Sequence, residues 1–538
     1  MRFERKNPMK ATDVIVHCLE NEGVEYVFGI MGKETLDLMN SLSKSKQITY
    51  INVRHEQGAA FMADVYGRLS NKVGVCLATL GPGATNLLTG ISSATLDHSP
   101  LVAITGQAGF ESQHKESHQY LDIVKMFEPA TKWSVQIKES KTIPKIIRKG
   151  FREAQMEKPG AVLIELPENL APEMTFSQPI PVTPIPKSKP TTEAIEAART
   201  LIEQSKNPVV IVGNGVIRQE SVANLRNFVE YLQSPVIHSF MAKGILPKEH
   251  PLNYFTFGFM KKDEALPLID ESDLLIVIGF DTIEKPPKDW NKKKCPVLHL
   301  SALPAEIDEY YPVTGELVGD LNETLQALTQ LEFPSKQWVP SGNLKERIET
   351  AYQINVDLKG KQALSIENVL TVIGSYSTEK TIMVSDVGAH KLAIARTYQP
   401  KQAGGLIISN GLASMGIALP GAIGAKLARP DSPVICITGD GGALMNISEL
   451  ETAKRLGLSI IVIVLNNMTL KLEEQMMEEK FANSFGASFG NPDFLKLAEG
   501  FGVRGLRPTH LNEFEHVLSE ALNINNELTL IDIQLPNQ

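Results

Sequence analysis

The chain has 538 residues, 43% of them hydrophobic and 21% charged, which predicts a soluble globular protein of several domains and excludes a fibrous or disordered class. A net charge of -9, with no basic run beyond Lys292-Lys293-Lys294, argues against a nucleic-acid partner, because phosphate backbones demand clustered positive charge. Cys18, Cys76, Cys295 and Cys436 lie far apart inside apolar patterns, so neither a disulfide framework nor a zinc site is expected, and a reducing, cytoplasmic setting fits.

Residues 1–10 carry charge without an apolar core and predict no secretory signal. Strand-like runs at 25–31, 48–53, 73–79, 101–105 and 161–166 then alternate with helical patterns, predicting a parallel sheet covered on both faces in a domain spanning 1–170. Pro172, Pro179, Pro181, Pro184, Pro186 and Pro190 predict an extended linker. The alternation resumes over 191–331, with strands at 208–212, 235–238, 274–280 and 297–300. Gly213 and Gly215 follow the first of these, but Arg218 stands where a dinucleotide fingerprint needs its third glycine, so no nicotinamide site is expected. A second linker with Pro334, Pro340 and Gly342 and a helix at 344–354 lead into a domain spanning 365–538, with strands at 381–384, 434–438, 459–465 and 528–533. Residues 402–425 are uncharged, yet their glycines, Asn410 and Pro420 make them a loop and a buried helix rather than a membrane span. The fold class is therefore α/β, with three doubly wound parallel-sheet domains and no membrane partner.

Two motifs in the last domain carry the chemistry. Gly439-Asp440-Gly441 ends one predicted strand, and after 24 intervening residues Asn466-Asn467 ends the next. Both sit at carboxyl strand ends, the edge where open parallel sheets bind ligands. Gly441 and Gly442 would let the backbone approach phosphate oxygens ahead of a helix beginning near Asn446. Asp440 and Asn467 supply hard oxygen ligands of the kind a magnesium ion takes together with phosphate and water. Each motif alone is a common turn or strand exit; at this separation the pair points to thiamine diphosphate.

The first domain contributes a complementary set. Val53-Arg54-His55-Glu56-Gln57-Gly58-Ala59-Ala60 places Glu56 between a strand and a helix, Leu80-Gly81-Pro82-Gly83-Ala84-Thr85-Asn86 closes another strand, and Ile408-Ser409-Asn410-Gly411-Leu412-Ala413-Ser414-Met415-Gly416 opens the uncharged helix. With the metal-diphosphate motif, this combination resembles the acetolactate synthase family of thiamine-diphosphate-dependent enzymes over essentially the whole chain. Lys115-Glu116-Ser117-His118-Gln119, residues 126–132 and residues 278–284 bring it nearer the catabolic, flavin-independent type, so FAD is not expected.

The resemblance implies pyrimidine-binding, central and diphosphate-binding domains in that order. It implies that Glu56 hydrogen-bonds the pyrimidine and that Gln119 faces the substrate. Asp440, Asn467 and the carbonyl of Thr469 would bind magnesium. Gly81, Pro82, Gly83, Asn86, His390, Gly411, Met415, Gly439, Gly441 and Gly442 would complete the cofactor contacts, with Met415 holding the cofactor bent. A carboxylate on the pyrimidine nitrogen favours the tautomer that takes the proton from the thiazolium carbon. Pyruvate would lose carbon dioxide and its remaining two-carbon unit would join a second pyruvate, giving 2-acetolactate. The family's cofactor bridges two subunits, which implies at least a homodimer, with a homotetramer usual. Read from its own segment, Glu56 is equally an exposed strand-end carboxylate and Met415 equally a core methionine.

One departure stands out. After Asn467 the chain reads Met468-Thr469-Leu470-Lys471-Leu472-Glu473-Glu474, where the family places a small residue near Lys471 and apolar ones beyond. A solvated helix face is the simple reading; a different acceptor, another carboligase or decarboxylase activity, a cofactor-binding homologue without turnover, and a flavin-dependent oxidase using the central domain stay open. His98, His114 and His118 show no metal-ligand spacing.

Overall fold

Strands that are apolar at every position must be buried on both faces. In the computed structural model, which describes residues 7–535 apart from 260, 333, 355, 525 and 526, this is what the central strands do. Val75 and Leu77 of the strand Gly74–Ala78 enter one apolar cluster, while Cys76 and Ala78 enter another. Val209 and Ile211 of Pro208–Val212 part in the same way from Val210 and Val212. In Val434–Gly439, Ile435 and Ile437 face the cluster shared with the central domain, and Val434 and Cys436 face the one shared with the N-terminal domain.

Three six-stranded sheets result, each wholly parallel. The N-terminal sheet runs in the order Thr49–Asn52, Tyr26–Gly29, Gly74–Ala78, Leu101–Gln107, Ala161–Pro167, Trp133–Gln136. The C-terminal sheet repeats that connectivity: Leu406–Ile408, Ile382–Ser385, Val434–Gly439, Ile461–Asn466, Thr529–Gln534, Arg504–Leu506. The central sheet differs, running Asn253–Thr256, Val236–His238, Pro208–Val212, Leu274–Ile278, Val297–Ser301, Val313–Val318, the order of dinucleotide-binding folds.

Several elements depart from expectation. The strands Trp133–Gln136, Asn253–Thr256, Val313–Val318, Leu406–Ile408 and Arg504–Leu506 had no counterpart in the sequence reading, and every one of them lies at the edge of its sheet. Met9–Lys10 pairs antiparallel with Met174–Thr175, a small sheet also unforeseen. The uncharged stretch 402–425 contains a strand, a loop and the start of the buried helix Ala418–Ala428. The helix expected at 344–354 is Leu344–Ala351. No helix among the described residues is long and apolar enough to cross a membrane.

The outer two domains pack through helices that lead away from their functional loops. Glu56–Ser70 lies against Ala418–Ala428 so closely that a Cβ on Gly424 would meet the Met62 carbonyl oxygen at 2.3 Å. A side chain at Gly424 is sterically excluded.

Candidate active site

At the carboxyl edge of the C-terminal sheet, the strand order reverses between the parallel strands Ile382–Ser385 and Val434–Gly439, the switch point where such sheets bind ligands. Asp440 lies there with 2% of its surface exposed. Its Oδ2 accepts the N–H groups of Asn467 (3.0 Å) and Met468 (2.6 Å) and the side-chain amide of Asn491 (2.8 Å). Met468 adopts φ +57°, a turn that brings these successive amides onto one oxygen. The Asn467 side-chain oxygen accepts the N–H of Thr469 at 3.3 Å. Thr469 pairs with Ser488, and the ladder bonds from Leu470 to Ala487 and from Phe489 to Met468 flank Thr469 without using its carbonyl. Asp440, Asn467 and Thr469 are therefore brought together. Among the described residues no three His, Cys, Asp or Glu side chains gather as a metal site, so a cation here depends on this mixed set of carboxylate, amide and carbonyl oxygens.

Two details of the glycine motif need correcting. The helix begins at Asp440 itself, running Asp440–Asn446, and a second one, Glu449–Arg455, follows. The bare Cα of Gly442 makes room for a protein carboxylate: a Cβ there would lie 2.9 Å from the carboxyl group of Asp386. Around Gly441, Leu470 Cδ2, Phe489 Cζ and Met415 Cε converge at 3.2, 3.3 and 3.4 Å from where a Cβ would stand. Met415 is half-buried in this apolar cradle, not a core residue.

His390 lies across Gly388 and Gly439, its ring 3.4 Å from a Cβ position on the latter. Burial lowers its pKa from 6.5 to about 4, so it is neutral near pH 7. The unfolded imidazole binds a proton as pH falls through 6.5, the folded one only near 4, so the unfolded state takes up more protons in this window and stability declines as pH drops. His390→Gln should flatten the fall in melting temperature between these limits, by an effect on the order of 3 kcal/mol at its fullest. Thermal melts of both proteins across that pH range check this, and identical slopes would refute it.

In the N-terminal domain Glu56 is 8% exposed and opens the helix Glu56–Ser70, so it is no exposed strand-end carboxylate. Asn86 donates to its Oε2 at 2.9 Å, and Oε1 lies 3.4 Å from a Cβ position on Gly83. Gly81 has φ +55° and ψ -116°, a backbone that only glycine adopts without strain, and it starts the helix Pro82–Leu96. Gln119, itself at φ +57°, folds over this turn, its carbonyl oxygen 2.8 Å from a Cβ position on Gly81. Glu56, Gly81, Gly83, Asn86 and Gln119 thus share one strand edge, with Pro82 exposed beside them.

Matches to known proteins agree with this geometry. Family models described as the thiamine pyrophosphate enzyme N-terminal TPP binding domain, central domain and C-terminal TPP binding domain match residues 9–126, 195–328 and 386–533. The acetolactate synthase of Bacillus subtilis (strain 168) is 34% identical over 98% of this chain and 94% of its own length. This chain belongs to the acetolactate synthase family of thiamine diphosphate enzymes. A probable acetolactate synthase large subunit from Methanococcus aeolicus is 34% identical over 97% of this chain and 91% of its own. The acetolactate synthase large subunit of Buchnera aphidicola subsp. Schizaphis graminum is 32% identical over 98% and 95%.

The residues present fit the family's cofactor. His390 Nε2, Asn446 Oδ1 and Asn491 Oδ1 are buried without a hydrogen-bond partner around the Asp440 loop. Such orphans cost about 1–3 kcal/mol each, and a cation with its diphosphate offers them partners. Asp386, Asn446 and Asn491 escaped the sequence reading. Asp386 accepts from Val387 N (2.8 Å), Gly416 N (2.8 Å) and Thr438 Oγ1 (3.0 Å), fixing the loop just after Met415. Its position could have been read: like Asp440, it directly follows an apolar strand.

Beside the Asp440 loop a cavity of about 830 Å³ is bordered by Asn467, Thr469, Arg396, Lys471 and Glu474. Lys471 donates to Glu474 at 2.8 Å, and the helix Lys471–Phe481 buries none of its residues, in keeping with a solvated face. Elsewhere, His98 is neutralised by burial, its pKa down to about 4, near Asp281 of the central domain.

Proposed function

We propose that this protein is an acetolactate synthase that joins two molecules of pyruvate into 2-acetolactate and carbon dioxide, using thiamine diphosphate anchored through magnesium. The observation that carries this reading is that one chain of this family presents two preformed strand-edge sites, Glu56 with Asn86 and Asp440 with Asn467 and Thr469. When bound, thiamine diphosphate supplies the electron sink for decarboxylation. Asp440, the Asn467 side chain and the Thr469 carbonyl would hold magnesium, while His390, its Nε2 otherwise unpartnered, would face the diphosphate. Met415, Leu470 and Phe489 would wall the apolar side of the cofactor and keep water from the reacting centre. Glu56, its Oε2 fixed by Asn86, would hold a proton at the pyrimidine, and Gln119 would face the substrate.

We further propose that each site is completed between two copies of the chain, as a homodimer or homotetramer. The exposure of Met31, Phe110 and Leu121 beside the Glu56 edge and of Met445 and Met468 beside Asp440, at 55%, 36%, 46%, 56% and 48%, supports this, because apolar side chains grouped at a ligand edge are those a second copy would cover. A reducing cytoplasm suits the four buried, unpaired cysteines.

The central domain supports catalysis without flavin. Its sheet has the nucleotide-binding order, yet the turn that would cradle a pyrophosphate is already satisfied from within. Asn214 donates its N–H to the buried carboxylate of Glu284 at 3.0 Å, and Gly215 donates to the Gly279 carbonyl at 2.8 Å. Arg218 is engaged by Asp281 (2.6 Å) and Glu157 (3.2 Å). Purified protein dialysed against FAD should retain none by absorbance; stoichiometric retention would overturn this part.

Incubating the protein with pyruvate, thiamine diphosphate and magnesium, and identifying the product, tests the main reading. Acetolactate with carbon dioxide is the expected result; no carbon dioxide would end it. The charged pair at the cavity wall favours one second reading, a different acceptor. Products formed from pyruvate with an added aldehyde, compared with pyruvate alone, separate the two.

A further inference from the structure

The two outer domains exchange buried carboxylates. Glu449, fully buried on the C-terminal helix Glu449–Arg455, reaches into the N-terminal domain and accepts the N–H groups of Arg54 (3.0 Å) and His55 (3.1 Å) on its Oε1. Its Oε2 takes the hydroxyl of Thr452 at 2.6 Å. Those two amides immediately precede Glu56. A Cβ on Gly58, one helical step later, would lie 2.6 Å from the same carboxylate oxygen, so the helix is shaped to admit it.

Asp97 does the converse. From the N-terminal domain, and 2% exposed, it accepts the N–H groups of Asn410 (3.0 Å) and Gly411 (2.6 Å) on its Oδ1, at the head of the loop that carries Met415. Its Oδ2 binds Arg68 Nη2 at 2.9 Å, and Arg68 also clasps Asp64 at 2.7 and 2.8 Å. Asp64 and Arg68 stand on the helix that starts at Glu56. A Cβ on Gly411 would meet the Leu96 carbonyl at 2.4 Å, again a close approach kept open for the neighbouring domain. Lys391 closes the loop from the other side, donating to Ser409 O at 2.7 Å and Asn410 Oδ1 at 3.0 Å. Burial opposes charge on Asp97, but Arg68 and the amide donors hold its carboxyl below the ordinary carboxylate range, so it is ionised.

We propose that Glu449 and Asp97 are reciprocal positioning residues, each supplied by one cofactor domain to set the functional loop of the other. Two successive amides bound to one carboxylate oxygen fix the peptide planes on either side of a residue, and hydrogen bonds to a buried charge are about twice as strong as neutral ones. Glu449 in this way aims Glu56, and Asp97 aims the loop that ends at Met415. This rests on the reading of Glu56 and Met415 given under Proposed function. In the dimer of that reading, one chain's Glu56 and Met415 serve different cofactors, so each clamp also ties one site to the next through the protein interior.

Glu449→Gln and Asp97→Asn, made in the full chain, test the proposal beside Glu56→Gln. For Glu449→Gln the expected result is a kcat for carbon dioxide release from pyruvate lower by about 10- to 100-fold with the pyruvate KM little changed, because the carboxylate at the pyrimidine is displaced while the metal anchor is intact. The near-ultraviolet circular dichroism of the bound cofactor should change with it. For Asp97→Asn, calorimetry should show cofactor affinity weaker by about 10- to 100-fold, the size expected for losing a charged buried hydrogen bond. Should Glu449→Gln fail to fold, Thr452→Val, which removes only the hydroxyl bond to Oε2, should lower kcat in the same KM-independent way to a smaller extent. Normal kcat, affinity and dichroism in the folded variants overturn the clamp. A kcat loss that disappears when rates are expressed per cofactor bound overturns it too. If Glu56→Gln is itself fully active, the reading of Glu56 falls instead; if Glu56→Gln is inactive and Glu449→Gln is normal, only the clamp falls.

Discussion

Asp440→Asn should abolish measurable binding of thiamine diphosphate in magnesium buffer while leaving the chain folded. Asp440 is nearly sealed from solvent and accepts four donors, the N–H groups of Gly441, Asn467 and Met468 and the Asn491 amide, at 2.8, 3.0, 2.6 and 2.8 Å. An asparagine has one oxygen where the aspartate has two, so its amino group must face one of these donors. The loop that carries Asn467 and Thr469 would then shift, and the formal charge facing the cation would be gone. Hydrogen bonds to a charged group contribute about 1.5–3 kcal/mol each, so losing one of them weakens affinity by roughly 10- to 10²-fold before the cation's own attraction is counted. Isothermal calorimetry at millimolar magnesium measures this, and an unchanged melting temperature separates it from unfolding. A dissociation constant near that of the unaltered protein would remove Asp440 from the anchor.

The same residue shows what a sequence can disclose about this fold. Asp440 and Asn467 were legible because each ends an unbroken apolar strand, Val434–Gly439 and Ile461–Asn466, and the topology fixes the distance between those strand ends. A strand paired on both sides and covered on both faces has no polar position, so its pattern is plain. Three of the edge strands escape for the converse reason, and a fourth because it is short. Val313–Val318 is largely exposed, Trp133–Gln136 and Arg504–Leu506 are half-buried throughout, and Leu406–Ile408 is only three residues long behind Gly404 and Gly405. Their pairing is decided by the neighbour they meet rather than by their own composition.

The site divides along a similar line. Glycine turns and strand-end polar residues carry a local signature, whereas Asp97 and Glu449 bond across 313 and 395 residues of chain and look in sequence like any helical carboxylate. Asn491 is recognisable only once the 468–489 segment has folded back to put its amide on Asp440. Gly442 shows how a motif can hide a structural reason. Its missing side chain reads as room for phosphate, but on the Cβ side the space is taken by Asp386, whose closeness to Gly442 follows only from the packing of two neighbouring strands.

Glu56→Gln is expected to lower kcat by roughly 10² to 10⁴, the span of acid–base assistance, while cofactor affinity changes little. The separation follows from the architecture. Affinity is carried by the Asp440 loop of the C-terminal domain, and Glu56 belongs to the N-terminal one, held by Asn86 at 2.9 Å. Glutamine keeps the length of the side chain and an oxygen for Asn86 to donate to. Its other terminus becomes an amide, which cannot hold or release a proton as a carboxylate does. A purely structural role predicts the reverse, a loss of stability or affinity with turnover intact. Asn86→Ala should fall between, since it frees Glu56 to rotate without removing its charge. Rates of carbon dioxide release from pyruvate, normalised to cofactor bound, decide the matter: a Glu56→Gln rate within about a factor of two of the unaltered protein would exclude this carboxylate from proton transfer.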